Sequence, residues 1–573
     1  MWVLPFLYYH HAYPITTFYQ EWGTALLGLC AMPLLLTARF WQAPEVPRIV
    51  LLPVGLMMLV MVQFILDRIT HFDRMMLLAL YFLFASMLIM LGQRLRAELG
   101  LATVVTALAV FLLVGAELNT LAGILQHFRW NTFLNSVITA KTSVAVYGNI
   151  AQPNHYANYL ALGLISLGLL YIRLSMRVWQ VALLALPMLF VMVLSGSRSS
   201  LLYLLFAAGL AFLWQRRDRT LRPLLNYCLL LVLGFGLMHL VVQIPWLEGT
   251  TGSVTTMERL AGDNASGHIR LHLWREAALI FAKFPLLGAG FGQFAWEHLQ
   301  LAAELRNPGV SGLYNNAHNI VMQLAAEGGL FGLAILLAAC GLWLWQARTT
   351  ERDIYHWWGF GVLAVLAIHS LLEYPLWYLY FIGIAAVMLG LFDTSGYKLE
   401  LRRLGRVSMG TMLLLGVVSM VQLLPGYQRL EGVMTLRSRA ASEVDVVPRM
   451  QQELLAVHQI PLLGSYAELF IASTMEVSAD HLEQKLDLNE SALRYIPIAP
   501  GAYNQVQLLA LSGREEEARA QLEDAIWAYP AGYATFRAGL EEMARKDPAR
   551  FSALLEFATR KNEEYRSAAV FGK

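Results

Sequence analysis

Near the middle of the chain the run GLYNNAHNIVMQLAAEGGLFG sets His318 at the polar entrance to an apolar segment, with Asn319 beside it and Glu327, Gly328 and Gly329 following. A histidine that titrates near neutral pH suits a general base taking a proton from a hydroxyl nucleophile. Position alone gives more weight to a plainer account, an interfacial histidine hydrogen-bonded near lipid headgroups. Two arginines suit an anion. Arg198 lies in the turn SGSRSS between two almost uncharged segments, and its planar fork of donors fits phosphate or pyrophosphate oxygens. Snorkelling to lipid phosphates explains it equally well. Arg270, in GHIRLHLWREAALIFAKFPLLGAGFGQF, stands where a polar loop passes into an amphipathic helix and is the better anion ligand of that stretch. Arg275 precedes Glu276 and Lys283 and can instead pair along a solvent face. His268 and His272, four apart, could share a metal ion, but no acidic or cysteine ligand accompanies them.

Two further runs offer polar groups without strong charge. VYGNIAQPNHYANYL carries Asn149, Gln152, Asn154 and His155; amides bind sugar hydroxyls or phosphate oxygens, although turn and helix-start chemistry accounts for the same residues. AIHSLLEYPLWYLYF carries His369, Glu373 and Tyr374 at a short turn. Glu373 is costly to hold near lipid, so a local partner or a function is expected. Tyr374, Trp377, Tyr378 and Tyr380 also suit an aromatic belt at the membrane surface.

The elements that must position these residues are apolar. Of 573 residues 57% are hydrophobic and 14% charged, and the mean hydropathy is +0.51, values that exclude an ordinary soluble domain. Hydropathy predicts about 12 membrane spans, near residues 21–37, 49–67, 74–93, 100–121, 156–173, 177–195, 199–214, 223–243, 317–345, 356–371, 376–393 and 407–425. Basic residues concentrate in every second connection: Arg39 and Arg48; Arg94 and Arg96; Arg173 and Arg177; Arg216, Arg217, Arg219 and Arg222; Arg348 and Arg352; Lys398, Arg402, Arg403 and Arg406. Retention of such residues inside the cell makes those connections cytoplasmic. The loop at 122–155, the turn at Ser195–Ser200, a large loop at about 244–316, the turn at Glu373–Pro375 and everything after about 426 are then periplasmic. All five polar runs fall on that face, and together they suit a phosphorylated, sugar-bearing lipid better than an ion. Met1–Trp22 would begin outside with Trp2–Tyr9 too short to cross, which reads as a shortened first helix. Cys30, Cys228 and Cys340 fall inside apolar helices and read as small core residues. A net charge of +2 gives no reason to expect nucleic acid as a partner.

After about residue 426 the composition turns soluble and helical, as in LNESALRYIPIAPGAYNQVQLLALSGREEEARAQLEDAIWAYP. Ala492, Tyr495 and Pro497 are echoed by Ala525, Tyr529 and Pro530, with 33 residues between the prolines. That spacing is close to a helical-hairpin, TPR-like repeat, and a plain helical bundle fits as well. The expected architecture is therefore an all-α polytopic membrane bundle over residues 1–425 with a helical periplasmic loop, followed by a periplasmic helical domain over 426–573.

SGSRSS, the Arg270 segment with FPLLGAGFGQF, and above all AHNIVMQLAAEGGLFG resemble the O-antigen ligase superfamily. GNIAQPNHYANYL, HSLLEYPLWYLYF and the soluble tail resemble its PglL-type protein O-oligosaccharyltransferases rather than ligases acting on lipid A core. The resemblance implies an inner-membrane enzyme that moves an oligosaccharide from undecaprenyl pyrophosphate to a Ser or Thr hydroxyl of a type IV pilin or other periplasmic protein, with no metal or other cofactor. It would make His318 the essential histidine, Gln152 and Tyr374 further activity-critical positions, and Arg198 and Arg270 the grip on pyrophosphate, with Asn154, Asn319 and Glu373 beside the donor. A lipid A core ligase, a polysaccharide polymerase and a glycolipid transporter are the rival expectations; the transporter calls for inverted repeats and broken midmembrane segments that the sequence does not display.

Overall fold

In hydrocarbon every backbone N–H must find a carbonyl within its own segment, so long apolar stretches have helix as their one open-ended solution. The computed structural model describes residues 1–42, 44–247, 265–439 and 446–571. Among these, almost all regular structure is helical, with one two-stranded antiparallel ribbon in which Glu45–Pro47 pairs Gly396–Lys398. Among the described residues, seven helices are long and apolar enough to cross a membrane: Arg48–Ile65, Phe72–Leu99, Leu101–Phe128, Pro153–Arg173, Arg219–Val241, Ile320–Ala347 and Arg402–Leu436. Val178–Leu194, Ser199–Gln215 and Leu379–Phe392 are apolar but shorter. The expected spans at 21–37 and 356–371 coincide with the helices Phe18–Ala31 and Ile354–Ser370. Of the expected large loop, residues 248–264 lie outside those described.

The chain divides into two compact units, each assembled from separated stretches. The first takes Met1–Gly55, Tyr81–Asn264 and Leu336–Met420. Its centre is the Pro153–Arg173 helix, buried from His155 to Leu170 and packed by Leu101–Phe128, Val178–Leu194, Ser199–Gln215, Arg222–Val241 and Ile354–Ser370. Polar atoms on this helix are matched inside the bundle: Trp358 Nε1 donates to Ser166 Oγ at 3.0 Å, and Tyr227 OH to the Leu164 carbonyl at 2.7 Å. The N-terminal segment is part of the same core. Phe6 stacks on Tyr159 with centroids 4.0 Å apart, and Tyr159 OH donates to the Trp2 carbonyl at 2.6 Å.

The second unit takes Leu56–Leu80, Ala265–Ile335 and Val421–Lys573. Here the segment expected as a helical loop is folded onto the C-terminal helices. The Phe294–Leu305 helix packs on Glu515–Ala528; Arg306 pairs with Glu523 at 3.1 Å, and Gly312 N–H donates to the Ala528 carbonyl at 2.7 Å. His71, Asp73 and Arg74 tie a short turn to the same helices: Asp73 Oδ2 accepts from Ser465 N–H at 2.9 Å, and Arg74 donates to the Tyr495 carbonyl. The helices Leu482–Tyr495 and Glu515–Ala528 start 33 residues apart, each followed by a partner helix, Ala499–Leu511 and Tyr533–Lys546. The tyrosines and prolines noted in the sequence meet here, since Tyr529 OH donates to the Pro497 carbonyl.

The Ile320–Ala347 helix, expected to be continuous, is broken at Gly329 (φ 62°, ψ −157°). The carbonyls and N–H groups freed by the break are taken up by the glycine-rich run after Phe284. Ala289 and Gly290 N–H donate to the Ala326 and Glu327 carbonyls at 2.9 and 3.1 Å, while Leu330 and Phe331 N–H donate to Pro285 and Leu286 at 2.8 and 3.1 Å. Approach this close leaves no room for a side chain: a Cβ on Gly329 would lie 2.4 Å from the Leu286 carbonyl oxygen, and one on Gly288 2.2 Å from the Glu327 carbonyl carbon. Gly329→Ala should therefore cost roughly 1–3 kcal/mol through its backbone conformation, before the clash is counted. Thermal unfolding of the purified protein in detergent checks this against Gly236→Ala, where nothing lies within 4 Å of the added carbon. Equal midpoints for the two variants would mean that the break imposes no such constraint.

Candidate functional site

His318 is built into the second unit by its neighbours. Ala317 is held at both ends of its peptide: its N–H donates to Gln323 Oε1 at 2.7 Å, and its carbonyl accepts from Trp274 Nε1 at 3.0 Å. Asn319 then starts the following helix, its Oδ1 accepting from Val321 and Met322 N–H at 3.0 and 3.1 Å. Between these fixed points His318 adopts a left-handed conformation, φ 50°, with its N–H donated to Asn316 Oδ1 at 3.1 Å. A non-glycine residue held there costs of order 1–3 kcal/mol, a strain kept where the surroundings over-determine the backbone. The side chain is half-buried. Glu327 fixes the far end of the same segment, Oε1 accepting from Gly292 and Phe294 N–H at 2.9 and 3.0 Å.

Arg270 lies on the Ala265–Lys283 helix, half-buried and one turn before Trp274, so the two share a helix face. Trp274 being bonded to Ala317, that face is the one turned to the His318 segment. The next turn of this helix is occupied differently from the sequence expectation. Glu276 is not a solvent-face partner for Arg275; it is 1% exposed and accepts from His272 Nε2 at 3.0 Å and His298 Nδ1 at 2.9 Å. His272 Nδ1 meets the Asn307 amide at 3.0 Å, so both ring nitrogens are engaged and His268, which is exposed, gains no metal-sharing partner from it. Burial alone would raise the Glu276 carboxyl; the two histidine donors outweigh it and hold the group below its ordinary value of 4.5.

In the first unit a second polar cluster forms where the Pro153–Arg173 helix begins. Gln152 is its N-cap, with Oε1 accepting from His155 N–H at 2.5 Å, and Pro153 at the first position supplies a helical φ without an unused N–H. Asn154 donates to Glu373 Oε1 at 2.8 Å, which gives the buried carboxylate the local partner its cost demands. His155 Nδ1 faces His369 Nε2 at 2.8 Å, and His369 Nδ1 faces Tyr203 OH at 2.9 Å. The Tyr374 and Tyr378 rings stand edge-on to His155, with centroids 5.8 and 5.2 Å away. Arg198 opens the Ser199–Gln215 helix that carries Tyr203, and its turn is braced by Ser197 Oγ against Ser199 Oγ at 3.0 Å. Gln152, Asn154, Glu373 and Tyr374 thus come together, while Arg270, His318 and Asn319 lie in the other unit, their two segments joined through Trp274 and Ala317. Asn149 proves to be turn chemistry: its amide donates to the Leu7 and Val137 carbonyls, both at 2.8 Å.

The buried chain Tyr203–His369–His155 was not anticipated as a network. Its signal was present, a tyrosine in LLYLLFAAG and a histidine in LAVLAIHSLL, each a polar group inside an apolar segment. Glu276, His298, Gln323 and Trp274 carry no comparable mark.

Polar clusters are fixed here on a scaffold of apolar helices, as in a multi-pass membrane protein, and comparisons with known proteins give the families it resembles. The Protein glycosylation ligase family matches residues 146–171, the O-Antigen ligase family 183–337, and the family Virulence factor membrane-bound polymerase, C-terminal, 357–541. All eight residues singled out above as site residues fall within these segments. The General O-oligosaccharyltransferase of Acinetobacter baylyi is 28% identical over 406 residues, 67% of each chain. The ComP-specific O-oligosaccharyltransferase of the same organism is 24% identical over 396 residues, 67% of this chain and 68% of its own. These matches support a PglL-type bacterial protein O-oligosaccharyltransferase of the O-antigen ligase superfamily.

A carboxyl lowered on folding contributes stability that is present above its ordinary value and is lost as pH falls through its folded value. Glu276→Gln should lower stability at neutral pH by roughly 1.5–3 kcal/mol, the worth of a hydrogen bond to a charged group. It should also flatten the decline in thermal midpoint from about pH 5 downward. Parallel pH profiles for variant and parent would exclude an ionised Glu276 as the source.

Proposed function

We propose that the protein transfers an oligosaccharide en bloc from undecaprenyl pyrophosphate to a Ser or Thr hydroxyl of a pilin-like or other periplasmic protein. In this reading the acceptor oxygen attacks the anomeric carbon, His318 takes the hydroxyl proton, and the bond from that carbon to the pyrophosphate oxygen breaks with its electrons leaving on the lipid pyrophosphate. Arg198 and Arg270 offset the charge that develops there, Gln152 and Tyr374 are required for activity, and Asn154, Asn319 and Glu373 line the donor. Asn319 can contribute only through its amide N–H groups, because its oxygen caps a helix. A pyrophosphate leaves without acid assistance, so the reaction as written calls for no metal or other cofactor. The observation that carries the reading is the strained backbone at His318, fixed on both sides within the segment matched by the O-Antigen ligase family. The names of the two relatives support protein as acceptor.

The topology that goes with it has about 12 spans in the inner membrane over residues 1–425, with the loop at about 244–316 and residues 426–573 facing the periplasm. The alternation of basic connections supports that orientation. A polymerase joining lipid-linked repeats is the second reading, favoured by the match of residues 357–541 to a polymerase family.

Incubation of the purified protein with lipid-linked oligosaccharide and a pilin peptide separates the two, a glycopeptide marking the transferase and a lengthened lipid-linked glycan the polymerase. His318→Ala should slow peptide glycosylation by at least about a hundredfold, the usual contribution of a general base, with the protein still present at parental levels. Transfer by that variant at the parental rate removes His318 from the chemistry.

A further inference from the structure

The connection between the Leu101–Phe128 and Pro153–Arg173 helices carries two cations, Arg129 and Lys141, and no Asp or Glu. These two are out of step with the alternating basic connections, because the parity that makes the others cytoplasmic puts this one on the opposite face. The fold brings both to one cavity of about 260 Å³, whose lining also includes Trp130, Asn135, Gln126 and Thr139 and contains no carboxylate.

The walls are fixed by bonds that leave few groups for anything else. Gln126 Nε2 donates to the Thr139 and Gly148 carbonyls at 2.7 and 2.8 Å, and its Oε1 accepts from Gly148 N–H at 2.9 Å. Thr139 Oγ1 donates to the Tyr9 carbonyl at 3.0 Å. The oxygen of Asn135 accepts from Thr132 N–H at 2.7 Å, so what that side chain has left to offer is N–H. The chemistry turned to the cavity is thus cationic and donating. Trp130 lies parallel to Phe128, centroids 5.0 Å apart, and is 55% exposed, a flat apolar surface of the kind on which a sugar ring rests. Helix-dipole stabilisation accounts for Arg129, which caps the Leu101–Phe128 helix. Burial, and then the neighbouring Arg129 guanidinium, push the Lys141 ammonium below its ordinary value, a penalty that a bound anion would relieve.

We propose that this cavity is a subsite for one anionic sugar unit of the transferred glycan, Arg129 and Lys141 holding its carboxylate or phosphate and Trp130 its ring. Its volume is below the range usual for drug-sized ligands and suits one such unit. The assignment rests on the proposed transfer of a lipid-linked glycan, and it makes the enzyme selective among glycans by charge.

The test uses full-length protein in nanodiscs of zwitterionic lipid and two lipid-linked oligosaccharides that differ only in a uronic acid replaced by the neutral hexose. The ratio of kcat/KM for the acidic donor to that for the neutral one should fall about tenfold in Arg129→Gln/Lys141→Gln, and Arg129→Lys should retain most of it. A ratio unchanged by the double variant overturns the subsite, as does an equal loss on both donors. A loss that appears on both donors only when anionic phospholipid is added assigns the cavity to a lipid headgroup and also overturns it. Parental protein that transfers neither donor would instead count against the proposed function itself.

Discussion

A helix that stops being a helix in an apolar segment must give its freed backbone groups to something, and at Gly329 that something is the run from Pro285 to Phe294. The exchange is reciprocal. The broken helix supplies acceptors at Ala326 and Glu327 and donors at Leu330 and Phe331, and the glycine-rich run supplies their complements. Gln63 closes the join, donating to the Leu287 and Glu327 carbonyls at 2.6 and 2.7 Å and accepting from Phe291 N–H at 3.2 Å. Unsatisfied backbone groups cost several kcal/mol each away from water, so neither partner can shift without the other. The position of His318 depends on this join, because the helix that begins at Asn319 is anchored by it within three turns.

The first unit solves a different problem, a polar cluster at the head of its most buried helix. Four polar side chains placed there have a named neighbour: Gln152 the helix start itself, Asn154 the Glu373 carboxyl, His155 the His369 ring, and His369 the Tyr203 hydroxyl. Such a network is stabilising only when its members are satisfied together. It fixes the beginning of Pro153–Arg173 to the turn before Tyr374, so that amide and phenol are held by the same contacts that satisfy the buried Glu373 carboxyl.

The second unit shows why the C-terminal helices are more than an appendage. Asp73, Arg74, Arg306 and Gly312 come from two distant parts of the chain, and all find partners between Ser465 and Ala528. Within this unit the His318 segment, the Arg270 helix and the hairpin helices form a continuous set of packed elements, sharing Phe294 and Leu299 at their joints.

Hydropathy and the spacing of arginines were legible without coordinates, because the cost of burying charge in hydrocarbon acts on each segment separately. His318, Gln152, Arg198 and Arg270 stand out for a related reason, as polar residues near the starts of helices, while the roles proposed for them come from the family resemblance. The helix break was half visible: GG in AEGGLFG marked a weak point, but a glycine pair is compatible with an intact helix unless another chain segment competes for its backbone. Only tertiary structure decided that competition, as it decided that Glu276 faces two histidines rather than Arg275, and that Asn149 is spent on carbonyls more than 10 residues away in sequence. Local sequence determines which groups must be satisfied; which partners satisfy them is set by contacts between residues far apart in the chain.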